Sequence, residues 1–163
     1  NIAYSLQLTD FNNYIITRMG LFGSVLAMMH KQATINFVSI IEGLIKSYLA
    51  TIWGKCKNCP RNETCSRKII RKHKEGIFKN IIRVYKEYEL LDLDDEIYDR
   101  ILTLYRYRNS IHLTKLRSDD EEDLEDSIST HNEAVEKLKL IDDSMKSNIG
   151  FWYYGANCSG SKP

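Results

Sequence analysis

Nine residues from Tyr105 to Leu113, "YRYRNSIHL", hold two arginines, an amide and an imidazole. On a helix, Arg108 and His112 are four apart and project from nearly one face, a turn from each other. Asn109 lies beside Arg108 and three residues before His112. Arg106 lies about 120° round the helix from His112. Histidine titrates near neutrality and serves as base or acid. Arginine carries a permanent charge on a planar fork that fits phosphate. An amide can orient either partner. Together these groups suit RNA strand cleavage, in which a 2′-hydroxyl attacks the adjacent phosphorus and the 5′-oxygen leaves. That reaction needs a base, an acid and a cation, and no metal. One imidazole does not serve as both acid and base, but two copies facing each other across a two-fold axis would supply both.

A second cluster is the cysteine loop "KCKNCPRNETC", spanning residues 55–65. Cys56 and Cys59 have the C-x2-C spacing of zinc ligands, and Cys65 follows. A closed structural site needs a fourth ligand, which Cys158 or His73 would provide. Free thiols and disulfides are the other readings of the loop. The remaining histidines, His30 and His131, are read as capping or surface residues.

The frame for these groups is helical. Two prolines and eight glycines in 163 residues leave long uninterrupted stretches. An apolar pattern predicts a helix from Asp10, its candidate cap, to about His30, with Tyr14, Ile15, Met19, Phe22, Leu26 and Met29 on one broad face. A second, from Ala33 to Trp53, is apolar almost all round and is expected to be central, with Gly54 ending it. A third starts at Ser66 and runs to about Leu91. "DLDD" breaks it and caps a fourth with Asp94 or Asp95. A fifth follows from near Asp119 to Met145, with acids at its positive end. No strand alternation and no internal repeat is present. The expected fold is a single all-α domain over residues 1–163. It is an up-and-down bundle of about five helices (10–145) with a cysteine loop (54–65) and an aromatic, then flexible tail (147–163).

Charge is segregated under a net value of +1. From Lys55 to Lys86 the balance is +9, and seven acids with no base follow from Glu87 to Asp99. Such runs are either solvated faces that pair with one another or, for the basic one, a surface for a polyanion. Arg67, Lys68, Arg71, Lys72 and Lys74 are the RNA-binding candidates. Nucleotide-binding glycine loops are absent. No apolar run reads as long enough to span a bilayer, and no signal peptide is evident. Three cysteines packed within ten residues fit a reducing compartment better than a secreted disulfide framework. A cytoplasmic protein without a membrane partner is the expectation.

"RNSIHL" resembles the signature of HEPN domains: an Arg, a polar residue that is often Asn, then a His near the end of a late helix. "INFVSIIEGLIKSYL", from Ile35 to Leu49, is similar to the early family helix with an acid, here Glu42, in an apolar run. The family gap from Arg to His is four to six residues. Three residues separate Arg108 from His112 and five separate Arg106 from His112, with Tyr107 then in the polar position. The resemblance implies an all-α, dimeric, metal-independent ribonuclease, possible as a toxin or phage-defence effector with an antitoxin protein as partner. It casts Arg108, Asn109 and His112 as catalytic, with Arg106 as the alternative arginine. Glu42 would orient Arg108, or instead pair with Lys46. A helical module that binds RNA or a protein without cutting is the alternative function. The cysteine loop with Cys158 adds a structural zinc ion in one of its readings.

Overall fold

The computed structural model describes residues 2–57, 77–87, 89–112 and 124–154, without the side chains of 53–57, 111–112 and 148–154. Among the described residues it is an all-α bundle of five helices: α1 (Ile2–Arg18), α2 (Gly23–Lys57), α3 (Phe78–Glu87), α4 (Asp95–His112) and α5 (Leu124–Tyr154). Helix α2 is the axis. Residues such as Ile41, Ile45 and Leu49 are almost wholly buried. They meet Ile81, Ile82 and Tyr85 of α3, Tyr98 and Ile101 of α4, and Ile141 and Met145 of α5 in one core, while Val38 packs with Phe37, Leu104 and Ala134 in a second.

Local chemistry sets the helix ends. Asp94 stands just before α4 and its carbonyl accepts from Ile97 N–H at 3.0 Å, with Asp95 and Glu96 in the first turn where the helix dipole favours acids. At the far end of α3, Glu89 adopts φ 44°. Leu90 N–H reaches back to the Tyr85 carbonyl and Glu89 N–H to the Lys86 carbonyl. This is a Schellman closure with a non-glycine residue in its left-handed position, and buried Leu90 packs as its apolar lock.

Several boundaries differ from those expected. Helix α1 starts at Ile2, which places Asp10 inside the helix rather than at its beginning. The first helix breaks after Arg18 rather than continuing to His30, and α2 starts at Gly23 and runs unbroken past Ala33. Gly20 and Gly23 take φ of 57° and 60°, a left-handed geometry that glycine adopts without steric cost. Tyr14, Met19 and Phe22, expected together on one broad face of a single helix, are divided by this turn and exposed. At its other end α2 passes Gly54 and reaches Lys57, so residues 54–57 of the expected loop are helical. Residues 147–154 of the expected tail belong to α5. The expected starts at Ser66 and Asp119 lie outside the described residues.

By length and composition Gly23–Ile52 is long and apolar enough to cross a membrane, which corrects the expectation that no run reaches that length. In the bundle 56% of that window is buried, as a core helix also requires.

His30 and His131 are neither caps nor surface residues. They are 8% and 7% exposed, and their Nδ1 atoms meet at 2.8 Å between α2 and α5. Phe37 stacks at a tilt beside His131, with ring centroids 5.4 Å apart. One proton serves the Nδ1 pair. His131 Nε2 is buried without a hydrogen-bond partner among the described residues. We assign the shared proton to His131 Nδ1, which leaves its Nε2 as a bare lone pair instead of a stranded N–H donor. Burial lowers the pKa of both rings, that of His131 to about 4 with the His30 ring adding to the effect.

The folded pair therefore refuses protons that the unfolded chain accepts. Its cost is absent above the unfolded pKa of about 6.5 and grows as pH falls from there toward 4. Urea unfolding at pH 7.5 and pH 4.5 is expected to show a stability loss on the order of 2 kcal/mol from this pair. The double variant His30→Leu with His131→Leu is expected to flatten that part of the profile. An unchanged slope would remove the pair from the acid response.

Candidate functional site

Glu42 lies in the middle of α2, between Ile40 and Ile41 on one side and Leu44 and Ile45 on the other. Its carboxylate is 16% exposed and takes two cations from different directions. Lys46, one turn on in the same helix, donates from Nζ to Oε1 at 2.5 Å. Arg108 comes from α4 and donates from Nη1 to Oε2 at 2.6 Å. Burial pushes the Glu42 carboxyl up, but the hydrogen bonds and charges of Lys46 and Arg108 outweigh it and hold its pKa below the ordinary value. The two alternatives for Glu42, orienting Arg108 or pairing with Lys46, are both realised by one carboxylate.

Arg108 is held on three sides. Its Nε and Nη2 donate to Asn109 Oδ1 at 3.3 and 3.2 Å. Its guanidinium carbon stands 4.7 Å from the centre of the Tyr105 ring, which itself packs on Phe78 of α3 at 4.7 Å between centroids. The stack continues the core outward to the charge, so three helices fix the guanidinium plane. Arg106 points away and is exposed. His112 is the last residue of α4, one turn beyond Arg108 along the backbone. Its side chain lies outside the described residues.

Sequence reasoning brought together Arg108, Asn109 and Glu42 and offered Lys46 as the other partner of Glu42; Arg106, the alternative arginine, is exposed. It did not assign a role to the Tyr105 ring. The signal was present: Tyr105 is three residues from Arg108. The three charges sum to +1, and the Lys46 side chain, 44% exposed, is where that surplus meets solvent.

Cys56 lies in the last turn of α2, its side chain undescribed. Cys59, Cys65, Cys158 and His73 lie outside the described residues, as do Arg67, Lys68, Arg71, Lys72 and Lys74. Among the described residues no group of three or more His, Cys, Asp or Glu side chains is placed to hold a metal. A surface groove of about 630 Å³ between α4 and α5 is separate from the Glu42 site. The forked pair of Arg100 with Glu133, at 2.6 and 2.9 Å, lies along it.

Comparison with family models, with curated proteins and with solved structures gave no match.

The Glu42–Arg108 contact joins two helices across a half-buried boundary, so removing one partner leaves the other charge poorly solvated. Glu42→Ala is expected to cost about 1–3 kcal/mol. The double variant Glu42→Gln with Arg108→Gln should cost less than the sum of its single changes. A double-mutant cycle by chemical denaturation measures the coupling, and strict additivity would show that the bridge does not hold α4 on α2.

Proposed function

We propose that the chain is a metal-independent endoribonuclease of HEPN type, with its site at the C-terminal end of α4. The observation that carries this is the Glu42 carboxylate binding Lys46 and Arg108 together, one turn from His112. A net-positive cluster beside an imidazole is what a scissile phosphodiester needs.

In this reading Arg108 faces the phosphoryl oxygens and Asn109 keeps its plane. His112 takes the proton of the 2′-hydroxyl as the 2′-oxygen bonds to phosphorus. The bond from phosphorus to the 5′-oxygen breaks, and that oxygen takes a proton from the Lys46 ammonium; His112 then gives its proton to solvent water, from which Lys46 regains one. The products are a 2′,3′-cyclic phosphate and a 5′-hydroxyl. Lys46 supplies the second proton carrier within one chain, so the shared pair of imidazoles is not required. Cytoplasmic action as a toxin or phage-defence effector, restrained by an antitoxin protein, rests on the family resemblance. A structural zinc ion held by Cys56, Cys59, Cys65 and Cys158 would pin the loop and take no part in the chemistry.

A second reading has its own observation. The Arg108 Nε, Nη1 and Nη2 atoms all donate to protein acceptors, as in a structural cross-link. The chain would then bind RNA or a protein through the basic residues of the 55–86 stretch without cutting.

Purified chain with single-stranded RNA in EDTA is expected to give 2′,3′-cyclic phosphate ends. His112→Ala should lower the rate by about 100-fold or more and Lys46→Ala by about tenfold, with RNA affinity little changed. Binding without cleavage would favour the second reading. That binding should weaken with salt and on charge reversal at Arg71 and Lys72, and should ignore His112→Ala.

A further inference from the structure

Helix α1 is built inside out. Thr9 and Asn12 are buried against the bundle at 4% and 5% exposure, while Phe11 and Tyr14 face outward at 58% and 63%. The turn and the start of α2 add Met19, Phe22, Val25 and Met28 at 61%, 83%, 52% and 68%. With roughly 150–250 Å² for each aromatic side chain, these six expose on the order of 800 Å² of apolar surface. A monomer ordinarily leaves less open, and a larger patch marks contact with a protein or a membrane.

Shape and charge decide between the two. The tip is convex: a methyl group built on Gly20 or Gly23 would meet nothing within 4 Å. A protein that took Phe22 would need a pocket shaped for it, whereas a fluid bilayer closes round any projection. Two of the tip's polar groups are satisfied within the chain. Met19 N–H donates to the Ile15 carbonyl at 3.0 Å, and the exposed Thr17 hydroxyl donates to that of Asn13 at 2.7 Å. Neither needs water when the tip enters a dry layer. The charges suit a plane of phosphates. No charged residue lies between Arg18 and Lys31, and no acid lies between Asp10 and Glu42. Arg18 is exposed and Lys31 half-buried. Two cations therefore bracket a neutral apolar tip where the chain enters and leaves it. Basic residues beside exposed apolar side chains are the layout of a segment that lies at an anionic lipid surface. Spanning the bilayer is a different matter. Gly23–Ile52 has the length and composition for it, but a spanning α2 would take Ile41, Ile45 and Leu49 out of the core. The contact is peripheral.

We infer that the chain docks peripherally on an anionic phospholipid bilayer through the α1–α2 turn. Met19, Phe22, Val25 and Met28 enter the boundary of the acyl chains. Tyr14 sits at headgroup level, where an amphipathic ring is favoured, and Arg18 and Lys31 meet the lipid phosphates. This departs from the expectation of a protein without a membrane partner. Glu42 lies roughly 30 Å along α2 from the turn, so docking there leaves the Arg108 cluster uncovered. The inference stands on the turn and does not depend on RNA cleavage.

Co-sedimentation of the full chain with mixed phosphatidylcholine and phosphatidylglycerol vesicles tests it. The wild type is expected to bind these vesicles, and to bind pure phosphatidylcholine about tenfold more weakly. Phe22→Ser with Met28→Ser should lower partitioning by about tenfold or more, and Arg18→Glu by about fivefold. All three positions are exposed, so helical content by circular dichroism should not change. The basic residues of the 55–86 stretch also attract anionic vesicles, so a second readout sits at the tip itself. Phe22→Trp is expected to add emission, above the wild-type signal, that brominated acyl chains quench, and charge reversal at Arg71 and Lys72 should leave that quenching in place. A wild type that stays in the supernatant overturns the inference, including one that self-associates through this face instead. So does a Phe22→Ser with Met28→Ser variant that binds as well as the wild type, or added Phe22→Trp emission that bromine leaves unquenched.

Discussion

A carboxylate in the middle of an apolar helix has to be neutralised or left in water, and the position of Glu42 rules out the second. The residues before and after it, from Phe37 to Leu49, bury most of their side chains, so α2 cannot turn to expose it without exposing the core. Two cations solve the problem. Lys46 comes with the helix itself. Arg108 must come from α4, and its arrival fixes both the rotation and the height of that helix. With Arg108 turned inward, Arg106 has to face solvent, and the end of α4 carrying His112 stops one turn beyond the carboxylate. The address of the candidate site is therefore set by a burial problem in α2.

The same contact creates a tension. A guanidinium spent on Glu42 and Asn109 is well placed but already satisfied, and a satisfied arginine is a weak phosphate ligand. Lys46 relieves this, because the cluster retains one positive charge that Glu42 does not cancel. An incoming phosphate could take the place of the carboxylate at part of the Arg108 fork, with Lys46 keeping Glu42 neutralised meanwhile. A structural cross-link would need only one cation. Two cations on one carboxylate are better suited to a group that must let one of them go.

Much of this was legible from residue spacing. Apolar periodicity located the central helix, and the fully buried chains of α2 are those expected of a helix apolar all round. The acids at 94–96 marked the start of α4. Arg108, Asn109 and Glu42 were singled out before any geometry was known. The errors have a common cause, which is that periodicity does not say which neighbour covers a face. Across Gly20 and Gly23 the pattern of Tyr14, Met19 and Phe22 continues at helical spacing, yet the backbone reverses there through two left-handed glycines. His30 and His131 are polar, 101 residues apart and on different helices, so nothing local marks them as partners. Each is tolerable in the core only because of the other.

That pairing and the inverted α1 express one rule about where this bundle keeps its polar groups. Thr34 donates to the His30 carbonyl at 2.9 Å and Thr9 to that of Ser5 at 2.9 Å, so these buried hydroxyls are satisfied within their own helices. The imidazoles satisfy each other across the α2–α5 boundary. Polar groups thus line the part of α2 nearest the turn, while the fully apolar core begins around Val38 and continues toward Ile52. The turn end of the α1–α2 hairpin also carries Phe22, at 83% the most exposed of the large hydrophobic side chains among the described residues.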